Sequence, residues 1–115
     1  MARIYNTTLT ADGNAIISLK NKRKDTREIY TVHVYGTFGG GTVTVFTNPA
    51  GAVSAAAGTT NDISIKNAYG TDISSTVKFS FDFECNSDPT NPIALKFVLA
   101  GATSPSLTIR VDDVS

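Results

Sequence analysis

The residue with the most obvious catalytic potential is the only histidine of the chain, His33. A histidine that acts as a general base needs a nucleophile and an orienting carboxylate within reach. Neither lies near it in the sequence, and its neighbours Val32 and Val34 would share the opposite face of a strand. We therefore interpret His33 as a half-exposed strand residue and predict that the protein is not an enzyme.

Acidic residues suggest two further kinds of site. Asp112 and Asp113 could belong to a calcium site, because Ca²⁺ binds clustered oxygen ligands. Asp82 or Asp88 would have to complete it, but the spacing matches no calcium-binding loop, so we interpret the terminal pair as solvated. Asp82 and Glu84 share one face of a strand, yet no aromatic platform indicates the sugar cleft that a glycosidase pair flanks. We expect no metal ion and no cofactor.

One segment carries half of the positive charge. Five of the ten Lys and Arg residues lie in residues 20–28, and three of them, Lys22, Arg23 and Lys24, are consecutive. Such a segment could bind phosphate or an acidic partner, or it could be a solvated hairpin loop. The formal net charge of the chain is zero, whereas nucleic-acid-binding proteins usually carry a basic excess. We therefore expect no nucleic-acid partner and keep protein docking as the functional alternative for this segment.

The elements that must position these residues are strands, and the clearest of them is residues 77–85. A strand sorts this segment into an apolar and a polar face, whereas a helix would scatter both kinds of residue around its circumference. The apolar face carries Val77, Phe79, Phe81, Phe83 and Cys85, and the polar face carries Lys78, Ser80, Asp82 and Glu84. One packed face and one wetted face are typical of an antiparallel sheet.

Seven further segments have strand character, and residues 48–60 between them read as a loop. The segments are residues 3–10, 14–19, 29–35, 42–47, 61–66, 93–99 and 107–111. About eight strands without a long helix predict an all-β fold, a two-sheet antiparallel β-sandwich of jelly-roll type, in a single domain of residues 1–115. An immunoglobulin-like topology is the alternative, although the chain has one Cys and no Trp for its Cys–Trp–Cys signature.

The alternation also predicts a core and a strand pairing. The predicted core comprises Val77, Phe79, Phe81, Phe83, Leu95, Phe97, Leu107 and Ile109. A hairpin across residues 86–92 would pair the segment 77–85 with 93–99, because this register keeps apolar residues opposite apolar ones. In it Phe81 faces Phe97, and Asp82 meets Lys96 on the wetted face.

The sequence also indicates the cellular compartment in which the protein is made. The first residues lack the apolar stretch of a signal peptide, and no segment approaches the roughly 20 apolar residues that span a bilayer. The single Cys allows no internal disulfide. We expect synthesis in a reducing cytoplasm and no membrane partner.

Two stretches have a more specific character. Residues 34–45, V-Y-G-T-F-G-G-G-T-V-T-V, resemble the V-x-G-T-F-G-G-x-T-V-T segment of small structural proteins of tailed bacteriophages. Residues 99–108, L-A-G-A-T-S-P-S-L-T, resemble the L-x-G-A-T-x-P-S-L-T turn near the C-termini of those proteins. Together they cover about a fifth of the chain. The segment after residue 45 and the basic residues 20–28 depart from the pattern.

The resemblance implies a virion structural protein that is made in the host cytoplasm. A capsid decoration (cement) protein on the outer lattice of the major capsid protein is the main hypothesis. The alternatives are a head-fibre, tail or connector accessory protein that binds another virion protein, and a carbohydrate-binding module. The resemblance also implies a homo-oligomer, with a trimer favoured. Because loops and termini carry binding, docking is expected to involve residues 2–6, 20–28 and 48–60. The candidate partner-binding residues are Ala2, Arg3, Ile4, Lys22, Arg23 and Lys24.

Overall fold

The computed structural model describes residues 2–20, 28–66, 69–85 and 90–114. This part of the chain is built almost entirely of strands, as the sequence predicts. The elements in chain order are β1 (Ala2–Leu9), β2 (Gly13–Leu19), β3 (Glu28–Thr37), β4 (Thr42–Asn48), α1 (Ala52–Ala57), β5 (Ile63–Ser64), β6 (Ser74–Ser75), β7 (Phe79–Cys85), β8 (Ile93–Ala100) and β9 (Ser106–Asp113).

The strands form two antiparallel sheets that pack face to face. The four-stranded sheet has the order β1-β9-β3-β7, and the five-stranded sheet has the order β2-β8-β4-β5 with β6 also paired to β4. Most connections therefore carry the chain from one sheet to the other. This strand order is that of a jelly roll. The immunoglobulin-like alternative does not fit. Its sheets contain several pairs of strands that follow each other in the chain and form hairpins, whereas β4 and β5 are the only described consecutive strands that pair here.

The structure has nine described strands rather than about eight because one strand is interrupted. β5 and β6 both run antiparallel to β4, along the same edge of it. The gap between them is bridged by Val45, whose carbonyl accepts from Ile65 N–H at 3.1 Å and whose N–H donates to Ile73 O at 3.2 Å. The chain between Lys66 and Asp72 leaves the strand, and these two side chains form an ion pair at its base. The predicted strand 61–66 is thus the first half of this element.

Alternate residues of the long strands fill the space between the sheets. The side chains with no more than 1% exposure include Val32, Val34, Val43, Val45, Leu95, Phe97, Leu99, Leu107, Ile109 and Val111. The predictions for Leu95, Phe97, Leu107 and Ile109 are confirmed. Such a core requires one apolar face from each sheet, which the alternation in β3, β4, β8 and β9 provides.

The core prediction for residues 77–85 is only partly correct. Val77 precedes β7 and is 65% exposed, so its assignment to the core is wrong. Phe79, Phe81 and Phe83 pack against the core but are only partly buried. The reason is the position of β7 at the edge of the four-stranded sheet, where β3 is its described neighbour on one side.

The predicted hairpin between β7 and β8 is wrong. β7 pairs with β3 in the four-stranded sheet, whereas β8 lies between β2 and β4 in the other sheet. Asp82 lies opposite Thr31, whose hydroxyl donates to the Asp82 Oδ1 at 2.9 Å. Alternation fixes which face of a strand is apolar, but both sheets of a sandwich offer such a face, so it does not select the partner strand.

Lys96, which we expected on a wetted face, is buried beneath the segment that contains α1. Its Nζ donates to the carbonyl oxygens of Ala55 at 3.0 Å and Gly58 at 3.1 Å. The third hydrogen bond is to Asp62 Oδ2 at 2.8 Å, and the Asn48 amide donates to the other Asp62 oxygen at 2.9 Å. A buried charge has to be paired and hydrogen-bonded, and this network meets that requirement. It anchors residues 48–62 on the outer face of the five-stranded sheet. The prediction of a loop for residues 48–60 is wrong where this segment forms α1.

Candidate docking end of the sandwich

The connections of the sandwich fall into two groups at opposite ends. At the first, the turn end, lie the short connections 10–12, 38–41 and 101–105. At the second, the loop end, lie the β2–β3 and β7–β8 connections, the first and last described residues and the start of segment 48–62. The strand register fixes this division. At the loop end, Ala2 and Tyr30 both lie opposite Asp113 in the four-stranded sheet, and Leu19 lies opposite Ile93 in the five-stranded sheet.

The turn end is closed by hydrogen bonds from backbone N–H groups to a side-chain carboxylate and to a backbone carbonyl. The Asp12 carboxylate accepts from Gly101 N–H at 3.0 Å and from Ala102 N–H at 2.8 Å. Thr103 N–H donates to Gly39 O at 2.8 Å. Gly39 has a φ of 63°, and a Cβ there would lie 2.3 Å from Thr103 O, so only glycine fits the position.

The two stretches that resemble phage proteins meet at this turn end. A Cβ on Gly36 would lie 2.4 Å from the carbonyl oxygen of Ser106. A Cβ on Gly41 would lie 2.8 Å from the Ala102 side chain and 2.9 Å from that of Leu99. Three of the four glycines of residues 34–45, namely Gly36, Gly39 and Gly41, are therefore required by the close approach of residues 99–108. The resemblance lies in a unit that closes the fold, and not in the candidate partner-binding residues.

The candidate residues at the start of the chain lie at the loop end. Ala2 and Arg3 belong to β1, where they lie opposite Asp113 and Asp112 of β9. The register shifts directly after Arg3, which leaves Ile4 as the extra residue of a β-bulge. Ile4 is 43% exposed. A bulge on an edge strand redirects side chains and limits pairing with another strand, and here it presents an apolar side chain to solvent.

The basic candidate residues belong to the connection between β2 and β3. Lys22, Arg23 and Lys24 lie outside the described residues. The two ends of their connection are described: β2 ends at Leu19, and β3 begins at Glu28. Leu19 and Glu28 both lie at the loop end, as do Ala2, Arg3 and Ile4.

Buried acidic side chains beneath the loop end were missed by the sequence analysis. Glu28 is 7% exposed, and Asp112 and Asp113, interpreted as solvated, are 2% and 5% exposed. Arg110 Nε donates to Asp112 Oδ1 at 3.1 Å, and it forms an ion pair with this carboxylate, 3.0 Å from Oδ2. They were missed because a position near the end of a chain does not reveal that flanking strands cover it. Burial follows from the pairing of β9 with β1 on one side and β3 on the other.

Tyr30 links this acidic group to the core. Its hydroxyl donates to Glu28 Oε2 at 2.9 Å, and its side chain is 4% exposed. Burial, followed by the hydrogen bond to Glu28 and the charges of Glu28 and Asp113, raises the pKa of Tyr30 well above its usual value. Each of these effects disfavours a phenolate, so Tyr30 remains a hydrogen-bond donor at neutral pH.

A shallow cavity of about 540 Å³ adds a concave surface at the loop end. The cavity lies between the start of segment 48–62 and the residues that precede β8. Its lining consists of Ser18, Pro49, Ala50, Gly51, Ala52, Val53, Thr90, Asn91 and Pro92. Val53 is 86% exposed, so an apolar side chain stands at its rim.

His33 lies on the outer face of the four-stranded sheet. It is directly opposite Ser80 on one side and Arg110 on the other. Asp82, one row away, accepts from Thr31. Among the described residues, no group of three or more His, Cys, Asp or Glu side chains could hold a metal ion. No described helix is long and apolar enough to cross a membrane.

Comparison of the chain with protein-family models, with curated proteins and with solved structures gave no match.

Proposed function

We propose that the chain is a structural protein of a tailed-bacteriophage virion, namely a capsid decoration protein whose loop end binds the outer surface of the major capsid protein. The observation that carries the proposal is the arrangement of the connections. Residue 2, the two strand ends that flank residues 20–28 and the start of residues 48–60 lie at one end of a sandwich whose other end is closed by its own turns. The jelly roll supports it further, because viral capsid domains are among the proteins that use this fold.

The loop end has the chemical properties of a docking surface. The β2–β3 connection contributes half of the chain's Lys and Arg residues, while Ile4 and Val53 contribute exposed apolar side chains. An acidic capsid surface would attract the basic connection, and the apolar side chains would be desolvated on contact. The proposal includes a homo-oligomer, with a trimer favoured, since several linked copies multiply a modest affinity through effective concentration. It assigns the protein no catalytic role.

A binding assay with capsids that lack the protein tests the role of the basic connection. We expect the variant Lys22→Glu/Arg23→Glu/Lys24→Glu to lose attachment, and wild-type attachment to weaken as salt is added. Lys66→Glu is the control for added negative charge at an exposed position outside this connection. Full occupancy by the triple variant with unchanged salt resistance would contradict docking through the basic connection.

Copy number distinguishes capsid decoration from the alternative virion positions. Quantitative mass spectrometry of purified virions should find hundreds of copies for a decoration protein. About a dozen copies or fewer would instead support a head-fibre, tail or connector accessory protein, since these positions have low-order symmetry.

A carbohydrate-binding module is the second candidate, and one surface favours it. Tyr35, 43% exposed, and His33 border a shallow cavity of about 290 Å³ on the outer face of the four-stranded sheet. An exposed aromatic ring beside polar groups is a common way to bind a sugar. Glycan-array binding that Tyr35→Ala abolishes would support this function, with Tyr69→Ala as the control at another exposed tyrosine.

A further inference from the structure

The outer edge of β7 is the least protected edge of the four-stranded sheet. β7 is seven residues long, contains no Pro and pairs in an unbroken register with β3. β1, at the opposite edge, carries the bulge at Ile4. Proteins usually protect exposed edges by bulges, prolines or short strands, because an open edge can pair with another chain. Within the described residues β7 has none of these devices.

The side chains of β7 that face the core are incompletely covered. Phe79, Phe81 and Phe83 are partly buried, and the rings of Phe79 and Phe81 stack with their centroids 6.2 Å apart. A strand added along the open edge would cover this row, since directly opposed side chains on neighbouring strands are in contact. The added strand should therefore carry apolar residues at alternate positions.

The charges of β7 and the preceding residue are complementary to those of a second copy. In an antiparallel pair of β7 strands with Phe81 opposite itself, Phe79 lies opposite Phe83. On the outer face, Lys78 of each copy then lies opposite Glu84 of the other. Such a pairing is isologous, so a two-fold axis duplicates every contact. Opposite charges directly across neighbouring strands are favourable.

The neighbouring registers that keep apolar residues opposite apolar ones are worse. A register centred on Asp82 places this carboxylate opposite itself, and directly opposed like charges are destabilising. A register centred on Ser80 needs residues 75–77 to be extended. Ser75 instead belongs to β6 and the chain bends at residues 76 and 77, where the Ser75 hydroxyl donates to Val77 O at 2.7 Å and accepts from Val77 N–H at 3.1 Å.

We propose that two copies of this chain associate through their β7 edges, with Phe81 on the two-fold axis, so that two four-stranded sheets become one of eight strands. This contact goes beyond the proposed function and does not depend on it, because it concerns the free protein. It is also additional to the proposed trimer, since a two-fold contact uses a different surface from a three-fold one.

Charge reversal with complementation tests the register. Each copy of Lys78→Glu would carry two acidic residues at the paired positions, and each copy of Glu84→Lys would carry two basic ones. By sedimentation velocity, we expect each variant alone to dimerise at least about tenfold more weakly than wild type, and an equimolar mixture of the two to recover the wild-type affinity. Lys20→Glu, an exposed charge outside β7, should dimerise like wild type.

Two outcomes would overturn the proposal. One is a wild-type protein that stays monomeric up to millimolar concentration. The other is a dimer that neither single variant weakens, or a mixture that fails to recover it. A cross-link provides a second readout: with an added oxidant, Phe81→Cys should form a covalent dimer, because this position faces itself at a distance that a disulfide spans. Phe79→Cys, which faces Phe83, should not.

Discussion

The turn end and the loop end of this sandwich are closed by different means. At the turn end, three short connections bond to one another through backbone groups, and glycine is required where they touch. At the loop end, the acidic side chains Glu28, Asp112 and Asp113 are buried, and the segment with α1 is held by a buried lysine. In the proposed function, the turn end fixes the shape of the jelly roll and the loop end binds the partner.

The largest loss of stability is expected when the lysine that anchors residues 48–62 is replaced. Lys96→Met should destabilise the protein by about 3–5 kcal/mol, because Asp62 would remain buried without its cation. Urea unfolding measures this loss. The double variant Lys96→Met/Asp62→Asn should recover part of it, since no buried charge is then left unpaired. A loss below about 1 kcal/mol for the single variant would mean that the segment leaves the sheet at little cost.

At the turn end, a single methyl group should have the next largest effect. Gly39→Ala should cost about 2–3 kcal/mol, because the new Cβ meets the Thr103 backbone in addition to the strain of a positive φ. Gly40→Ala is the matched control: its φ is 78°, but no atom lies within 4 Å of the added Cβ, so only the strain of about 1 kcal/mol applies. Thermal unfolding of both variants checks this. Equal losses would show that the contact with Thr103 is unimportant.

At the loop end, the hydrogen bond of the Tyr30 hydroxyl should contribute about 1 kcal/mol to the free energy of unfolding. The variant Tyr30→Phe should remove this contribution. The pKa of Tyr30 is raised in the folded protein, so the unfolded chain loses its proton first as pH rises. This contribution is therefore complete below the usual pKa of 10.0 and declines above it. Urea titrations at several pH values should show wild type losing more stability above pH 10 than Tyr30→Phe does. Parallel curves would contradict the raised pKa.

The smallest effect on stability is expected at the basic connection itself. The variant Lys22→Glu/Arg23→Glu/Lys24→Glu should change the free energy of unfolding by less than about 0.5 kcal/mol, as surface substitutions usually do. Its effect on capsid attachment should nevertheless be large. A substantial loss of stability would place these side chains in the fold, and would remove the contrast between a structural end and a binding end.

Much of the fold could be predicted from alternation, because side chains on opposite faces of a strand differ in their surroundings. The core positions of β8 and β9 and the jelly-roll class follow from it directly. The partner of β7 does not, since both sheets present an apolar face to the same core. The interruption between β5 and β6 also has no signature in the alternation, because the two halves carry only two residues each.

The segments of the candidate site could be predicted from the sequence, but their arrangement in space could not. The charge of residues 20–28 is visible in the sequence, whereas the placement of the two flanking strand ends at the same end as Ala2 follows from the strand register. The burial of Lys96 and Asp112 was not visible, since an outward-facing residue is wetted only if no other segment covers it. The short helix that covers Lys96 lies in an Ala-rich stretch without caps, which gives a weak helical signal.

The interrupted strand beside β4 has a practical consequence. Ile73 N–H donates to Ile65 O at 2.8 Å, so the two points where the chain leaves and rejoins the strand are held together regardless of what lies between them. Lengthening a loop between fixed ends costs only about 0.6 kcal/mol for each doubling of its length. A foreign peptide placed between Lys66 and Asp72 should therefore leave the ladder of β4 intact. If the chain coats a particle, this position offers one insertion site per copy for displaying an antigen.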